Sequence, residues 1–474
     1  MMRKILSALF LFITTAGPLV VNAQKISSDN TALVDAFNLA LNTVDINVRR
    51  GILAAGGDYG GEWTRDIAIN SWNCASLLRP QVAVNSLWSV TVKKDSIGHQ
   101  YWDKIIWTLA ALNHYKVTGD QVFLKEAYRC AGNTMKELEQ SAYDHRYGLF
   151  TGPSVFNDGI AGYPASVYDS LNNSSFVLDH EGSKTIKCLS TNAVYFGAYK
   201  ALSEMSGLLK DGRQHTYDQQ ASALKAQILK YLYNTKENKF YYLIDSQGNV
   251  DRSQEALGIS FAVLFGIPDT QQAAGVIRAA ATSAHGIPSI SPAFTRYDAK
   301  KPGRHNVVIW PMVNGFFADA ALATKNYDVF TAELNNLIHL ALDEDKGNYN
   351  FREIYNADSG VPDGGWQRRK TEKDIHWTSF KNQTWSATAY LRMVLNGLLG
   401  FEFTNDDLYI RPYLPDSIHA LSITSIPYRK AMINLTVKGK GSHVSSFTIN
   451  GAKQKELKIS STATGNQNVV VNLD

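Results

Sequence analysis

The sequence predicts a mainly α-helical body of paired helices followed by a small all-β domain. Three observations carry that expectation. From about residue 30 to 400, apolar residues recur at helical spacing between glycine- and aromatic-rich loops. Every second helical segment is poorer in charge, as inner helices packed beneath outer ones should be. After Gly400 the period changes to strict alternation broken by Gly, Asn, Asp and Pro, which reads as strands. With 474 residues, 45% hydrophobic and 11% aromatic, the chain can bury a large core.

The helical segments are, in order, TALVDAFNLALNTV, RDIAINSWNCASLL, KIIWTLAALNHYKV, QVFLKEAYRCAGNTMKELEQ, STNAVYFGAYKALSEMSGLL, ASALKAQILKYLY, EALGISFAVLFGI, AAGVIRAAATS, WPMVNGFFADAALAT, FTAELNNLIHLAL and QTWSATAYLRMVLNGLLG. Several are apolar nearly all round, as helices buried between neighbours are. The strands expected beyond them are DDLYIRPYL, HALSITSI, AMINLTVKG, VSSFTING, KELKISS and QNVVVNLD. No linker precedes them, so the β domain, 401–474, is expected to pack against the helical body, 24–400.

The chain opens MMRKILSALFLFITTAGPLVVNAQ, a basic start, a short apolar run and a small-residue site ending at Ala23. This reads as a cleaved signal peptide, 1–23, and places the mature protein in the periplasm or outside the cell without a membrane anchor. The formal charge of +4 falls to +2 once Arg3 and Lys4 are removed, and no long basic block argues for nucleic acid. Cys74, Cys130 and Cys188 are scattered and show no metal-ligand spacing, so they read as buried free thiols.

The loops 49–64, 142–185, 285–308 and 345–382 are longer than a compact domain usually tolerates without a function for them. If the helices form a ring, these loops gather on one face. That face would hold Trp63, Tyr101, Trp102, Tyr147, Phe156, Tyr163, Trp310, Trp366 and Trp377 beside many carboxylates. Rings beside acids and amides suit sugars, whose C–H faces stack while their hydroxyls need donors and acceptors. The stretch GGDYGGEWTRD holds Arg65 and Asp66 at a helix start. An acid there is ordinarily a stabilising end group, but the preceding glycines also let backbone approach a ligand closely. Asp158 in GLFTGPSVFNDGIAGYP and Glu353 in NYNFREIYNADSGVPDGGW both precede apolar helices among aromatic residues, where burial shifts pKa values. No GxSxG, GxxxxGK[ST], HExxH or GxGxxG motif is present, and the histidines are spread singly.

Four patches resemble the six-hairpin (α/α)6-barrel glycosidases: glucoamylases, trehalases, the amylo-1,6-glucosidase part of debranching enzymes, and the processing α-glucosidases. GEWTRDIAI is similar to their W-x-RD segment, which implies that Trp63, Arg65 and Asp66 hold the sugar. RHNVVIWPMVNG resembles the YHNGSVWPxxNG segment and implies His305, Trp310 and Asn314 at the pocket. NFREIYNADSG resembles the stretch carrying the general base, Glu353, and NQTWSATAYLRMVL resembles the helix whose start supplies Gln383 and Trp385. The relatives keep the general acid in the loop occupied here by SVFNDGIAGYP, which implies Asp158, with Asp179 and Glu181 of VLDHEGSK as reserves. Tyr101, Trp102 and Asp103 match a substrate-contacting position loosely. The resemblance implies an (α/α)6 toroid and an inverting, exo-acting hydrolase of α-linked oligo- or polysaccharides, its carboxyl pair roughly 6.5–9.5 Å apart. It calls for no cofactor, and nothing in the sequence supports a structural calcium ion. An inverting phosphorylase and a non-catalytic sugar-binding protein are the alternatives.

Overall fold

Helices that are apolar on nearly every side need neighbours on every side, and a closed ring supplies them. The computed structural model describes residues 24–474 apart from 60–62, 295, 298–299 and 370–371. The leader expected at 1–23 lies outside the described residues, as do Gly60, Gly61 and Glu62. The helices are α1 (Thr31–Ile46), α2 (Thr64–Asn70), α3 (Ser76–Leu78), α4 (Pro80–Ser89), α5 (Trp107–Thr118), α6 (Gln121–Ser141), α7 (Leu189–Leu209), α8 (Gln214–Leu232), α9 (Ala256–Leu264), α10 (Thr270–Arg278), α11 (Pro311–Ala323), α12 (Tyr327–Leu342) and α13 (Thr384–Arg392). A π-helical turn, Ser71–Ala75, joins α2 to α3, and a second, Met393–Leu398, continues α13.

The inner ring runs α2, α5, α7, α9, α11 and α13, each packed on the next, and α13 closes back on α2. The fold is an (α/α)6 toroid. Polar side chains join the first and last hairpins: Thr388 Oγ1 donates to Asn70 Oδ1 at 2.7 Å, and Asn73 Nδ2 donates to Thr388 Oγ1 at 3.2 Å. The outer layer is α1, α4, α6, α8, α10 and α12. Of these, α4 is the segment the periodicity missed, because PQVAVNSLWS is short and separated from α3 by Arg79 alone.

Side-chain N-caps occur on the outer helices α1, α6 and α10, where Asn30, Asp120 and Asp269 accept first-turn N–H groups. The inner helices begin without one. Trp63, Trp310 and Gln383 occupy N-cap positions instead. A missing cap costs about 1 kcal/mol, and these three sites give the position to residues that face the loops.

Beyond the ring, Ala420–Tyr428, Lys430–Lys438, Val444–Ile449, Ala452–Lys453 and Thr464–Leu473 build a six-stranded sheet. Its sixth strand comes from the other end of the chain: Lys25–Ser28 pairs antiparallel with Ala420–Tyr428. The expected domain boundary puts those four residues in the helical body instead. A smaller sheet of Phe401–Phe403, Asp407–Ile410 and Lys458–Ser460 packs through Phe401–Phe403 on Met393–Leu398 and α5. The β domain is fastened to the ring where Arg429 donates to the carbonyls of Lys116 and Asn405, and where Tyr413 stacks on Tyr327 with centroids 4.5 Å apart. All three cysteines are free and buried.

Candidate functional site

Successive helices alternate between the outer and inner layers and run in opposite directions, so all inner helices point their N-termini to one end of the toroid, and the long loops converge there. Ala55, Tyr59, Trp63, Arg65, Asp66, Asp158, Arg304, His305, Trp310, Glu353, Gln383 and Trp385 line a pocket of about 60 Å³ at that end. Nine of the residues named from sequence therefore meet in one place, among them both Asp158 and Glu353.

The glycine-rich stretch explains part of this convergence. A side chain at Gly56 would meet Gln383 Nε2 at 2.9 Å, so glycine is what lets the loop lie against the start of α13. The loop then delivers Tyr59, whose O–H donates to Glu353 Oε1 at 2.6 Å. Arg304 Nη2 donates to the same oxygen at 2.8 Å, leaving Glu353 Oε2 buried without a protein partner. One carboxylate oxygen is thus fixed and the other is free.

Asp158 is held by the next residue along from Arg304. His305 Nε2 lies 3.2 Å from its Oδ1, and Arg65 Nη2 lies 3.4 Å from its Oδ2. His305 adopts a left-handed backbone, φ 66°, which costs a non-glycine residue roughly 1–2 kcal/mol. Its ring is pinned over Trp310, centroids 4.3 Å apart. The strained dipeptide Arg304-His305 therefore reaches both carboxylates at once.

Arg65 anchors the wall behind. Its Nη1 donates to Asp103 Oδ2 and to the Val155 carbonyl, each at 3.2 Å, and its Nε lies 3.9 Å from Asp66 Oδ2. Asp66 does not cap α2, whose N-cap is Trp63 with no side-chain bond. Asp66 thus stands in the first turn of α2, where an acidic end group would, and lines the pocket as well.

These contacts set the ionisation of the site. Burial pushes Asp158 up, but the His305 hydrogen bond and the charges of Arg65 and Arg304 outweigh it and hold the carboxyl well below its usual range. Asp66 has only distant help from Arg65. Burial, with Asp158 and Glu353 adding to it, raises Asp66 to about 6. Asp103 is raised to about 7, chiefly by burial. Burial lowers His305 to about 4, so its imidazole is neutral at pH 7 despite Asp158.

The remaining lining atoms form a set of unmatched polar groups. Trp310 Nε1, Trp385 Nε1, Gln383 Nε2 and Arg65 Nε are buried donors without a partner among the described residues, and Glu353 Oε2 is an acceptor in the same condition. Buried polar groups are nearly always satisfied in native proteins. A cluster of exceptions around one small pocket walled by indoles is suited to a ligand rich in hydroxyls.

Four expectations are corrected. Trp102 is fully buried in a core cluster with Ile160 and Tyr163, its indole N–H donating to the Ser154 carbonyl. Tyr101 packs edge-on against it and donates to the Lys184 carbonyl. Asp103 sits behind Arg65 rather than in the pocket. Asn314, one turn into α11, faces the outer layer and donates to Glu333 Oε2 at 2.8 Å. The reserve acids lie outside the pocket lining: Asp179 accepts from Ser174 Oγ, and Glu181 is exposed and paired with Lys184. Tyr59 and Arg304 are site residues that the motifs do not single out, though GGDYGG and RHNVV contain them.

The chain matches the family model of the mannosylglycerate hydrolase MGH1-like glycoside hydrolase domain over residues 98–386. Among curated proteins none matches. Solved structures show the fold. A sialidase aligns at 15% identity with a TM-score of 0.70, covering 91% of this chain and 40% of that one, so this chain spans well under half of that protein. The GH63 mannosylglycerate hydrolase from Thermus thermophilus in complex with glucose aligns at 14% identity and TM-score 0.58, covering 76% of this chain and all of that one. The GH78 rhamnosidase of Bacillus sp. GL1 aligns at 12% identity and TM-score 0.57, covering 95% of this chain and 44% of that one.

Proposed function

The chain belongs to the MGH1-like glycoside hydrolase family, and from that premise we propose that it is an exported, inverting glycosidase that trims single units from α-linked oligo- or polysaccharides. The observation that carries this reading is the pocket in which Asp158 and Glu353 meet, each fixed by one residue of the Arg304-His305 pair. Glu353 is the base. Tyr59 and Arg304 occupy Oε1, so the unpartnered Oε2 is the oxygen that takes a proton from water as it attacks the anomeric carbon. The small, indole-lined pocket supports exo action, and the leader expected from the sequence at 1–23 supports export.

Asp158 is the acid. In the free protein it is a carboxylate, so it must gain a proton as substrate binds. A glycosidic oxygen entering beside Oδ1 takes the place of the His305 contact and excludes water, and both changes lift the carboxyl. A second reading makes Asp66 the acid. It rests on one observation, that burial already holds Asp66 near neutral pH at about 6.

Proton NMR of the first-formed sugar tests the stereochemistry: the β anomer from an α-linked aryl glycoside is expected. The α anomer as first product would overturn inversion, and a Glu353→Gln variant that turns over at the wild-type rate would overturn the base.

A further inference from the structure

The toroid has a second chamber. At the C-terminal ends of the inner helices, where the β domain meets the ring, a cavity of about 1020 Å³ opens between them. The catalytic pocket at the other end measures about 60 Å³. Ligand sites usually run to about 300–1,000 Å³ and favour domain interfaces, so the larger chamber has the size and the place of one.

Its walls carry features that packing does not account for. The two π-helical segments of the described residues both face it, Ser71–Ala75 through Trp72 and Met393–Leu398 through Asn396. Such segments are rare and concentrate at functional sites. The guanidinium of Arg392 lies 4.8 Å from the centre of the Trp72 ring, and Trp72 and Asn396 both line the chamber. Arg392, about 95% buried, gives Nε and Nη2 to Asp319 Oδ2 at 3.0 and 2.5 Å and leaves Nη1 unpartnered.

Most charges on the wall are paired: three of its five cations hold acids of the same wall, Lys200 holds Asp218 beyond it, and Lys325 is exposed. Lys116 lies 2.8 Å from Glu204, Arg411 lies 2.7 Å from Glu402, and Arg392 holds Asp319. Pairing of this kind leaves little field for an ion but many fixed donors and acceptors. Beside them stand the rings of Trp72 and Phe265, stacked on each other, and of Tyr413, stacked on Tyr327. Fixed polar groups, largely paired charge and aromatic rings together suit a neutral, hydroxylated ligand with apolar C–H surfaces.

We propose that this chamber is a second, non-catalytic binding site for a neutral oligosaccharide. It holds glycan at the interface of the two domains while the opposite end of the ring carries out the cleavage. The site stands on its own lining and does not depend on which carboxylate is the catalytic acid.

The test uses the full chain as the Glu353→Gln variant, with maltotetraose and α-mannotetraose as probes. Crystals soaked in each sugar are expected to show it in the chamber, and calorimetry is expected to show a binding event that survives the Glu353 change. Ser442 is exposed at the mouth of the chamber. In the parent chain, Ser442→Trp is expected to leave aryl-glycoside turnover unchanged, which certifies the fold. In the Glu353→Gln chain it is expected to weaken this binding event roughly tenfold, as loss of one wall contact worth about 1.4 kcal/mol does. Soaked crystals in which neither sugar enters the chamber, or a binding event indifferent to Ser442→Trp, overturn the proposal while leaving the catalytic reading intact.

Discussion

Gly159 follows the candidate acid directly, and its missing side chain is a structural requirement. A Cβ there would lie 2.1 Å from Gln367 Oε1 and 2.8 Å from His305 Cδ2, both inside any tolerated contact. Gln367 is buried, with Oε1 unpartnered, and His305 is pinned between Phe156 and Trp310, with centroids at 5.5 and 4.3 Å. Gly159→Ala must therefore displace both. Overpacking of this kind costs about 1–3 kcal/mol, which in a chain of this size lowers Tm by a few degrees. The effect on the site is larger: a His305 ring moved by about an ångström loses Asp158, and misplacement on that scale costs on the order of 100-fold in rate. The assay pairs thermal denaturation with kcat/KM on an aryl glycoside, for Gly159→Ala alone and with Gln367→Ala, which removes the nearer clash but not the one with His305. The expected result is a modest fall in Tm, a fall of about 100-fold in kcat/KM, and partial rescue of Tm without rescue of activity in the double variant. Wild-type activity in Gly159→Ala, or full rescue by Gln367→Ala, refutes the claim that His305 is what the glycine protects.

Tyr59→Phe removes one charge-assisted donor from Glu353; with such bonds worth about 1.5–3 kcal/mol, kcat is expected to fall at least tenfold while Tm hardly moves, and an unchanged kcat removes Tyr59 from the site. Asn314→Ala is expected to do the opposite, destabilising the protein by about 1–3 kcal/mol through the orphaned, buried Glu333 while KM stays constant. Asp66 and Asp103 have folded-state pKa values of about 6 and 7, above the ordinary 3.8. The native state therefore holds more protons than the unfolded chain between about pH 4 and 7, and stability from these groups is full below that window and lost as pH rises through it. Asp103→Asn is expected to flatten the decline in Tm over that range; a decline of unchanged slope contradicts the assignment.

The helices are legible in the sequence because burial between neighbours leaves an apolar imprint on each segment alone. Relations between distant residues leave no such imprint. The strand Lys25–Ser28 is four residues long, and its partner strand is nearly 400 positions away. Tyr59 and Arg304 lie beside residues that the motifs name, but their role exists only where Glu353 meets them. Asn314 shows the converse error: Trp310 and Asn314 share a motif, yet one helical turn carries Asn314 from the pocket toward Glu333 on α12. Trp102 and Asp103 likewise follow one another in the chain, and neither reaches the pocket: the indole lies in the core and the carboxylate behind Arg65.

The division of labour between Asp158 and Glu353 is tested most directly by leaving-group dependence. A glycosyl fluoride departs with little need of a proton, whereas an alkyl glycoside requires an acid. Asp158→Asn is predicted to lose hydrolysis of the alkyl glycoside and to keep most of its activity on the fluoride, with Glu353→Gln losing both. The same selective loss in Asp66→Asn, with Asp158→Asn equally impaired on both substrates, would contradict the assignment and move the acid to Asp66.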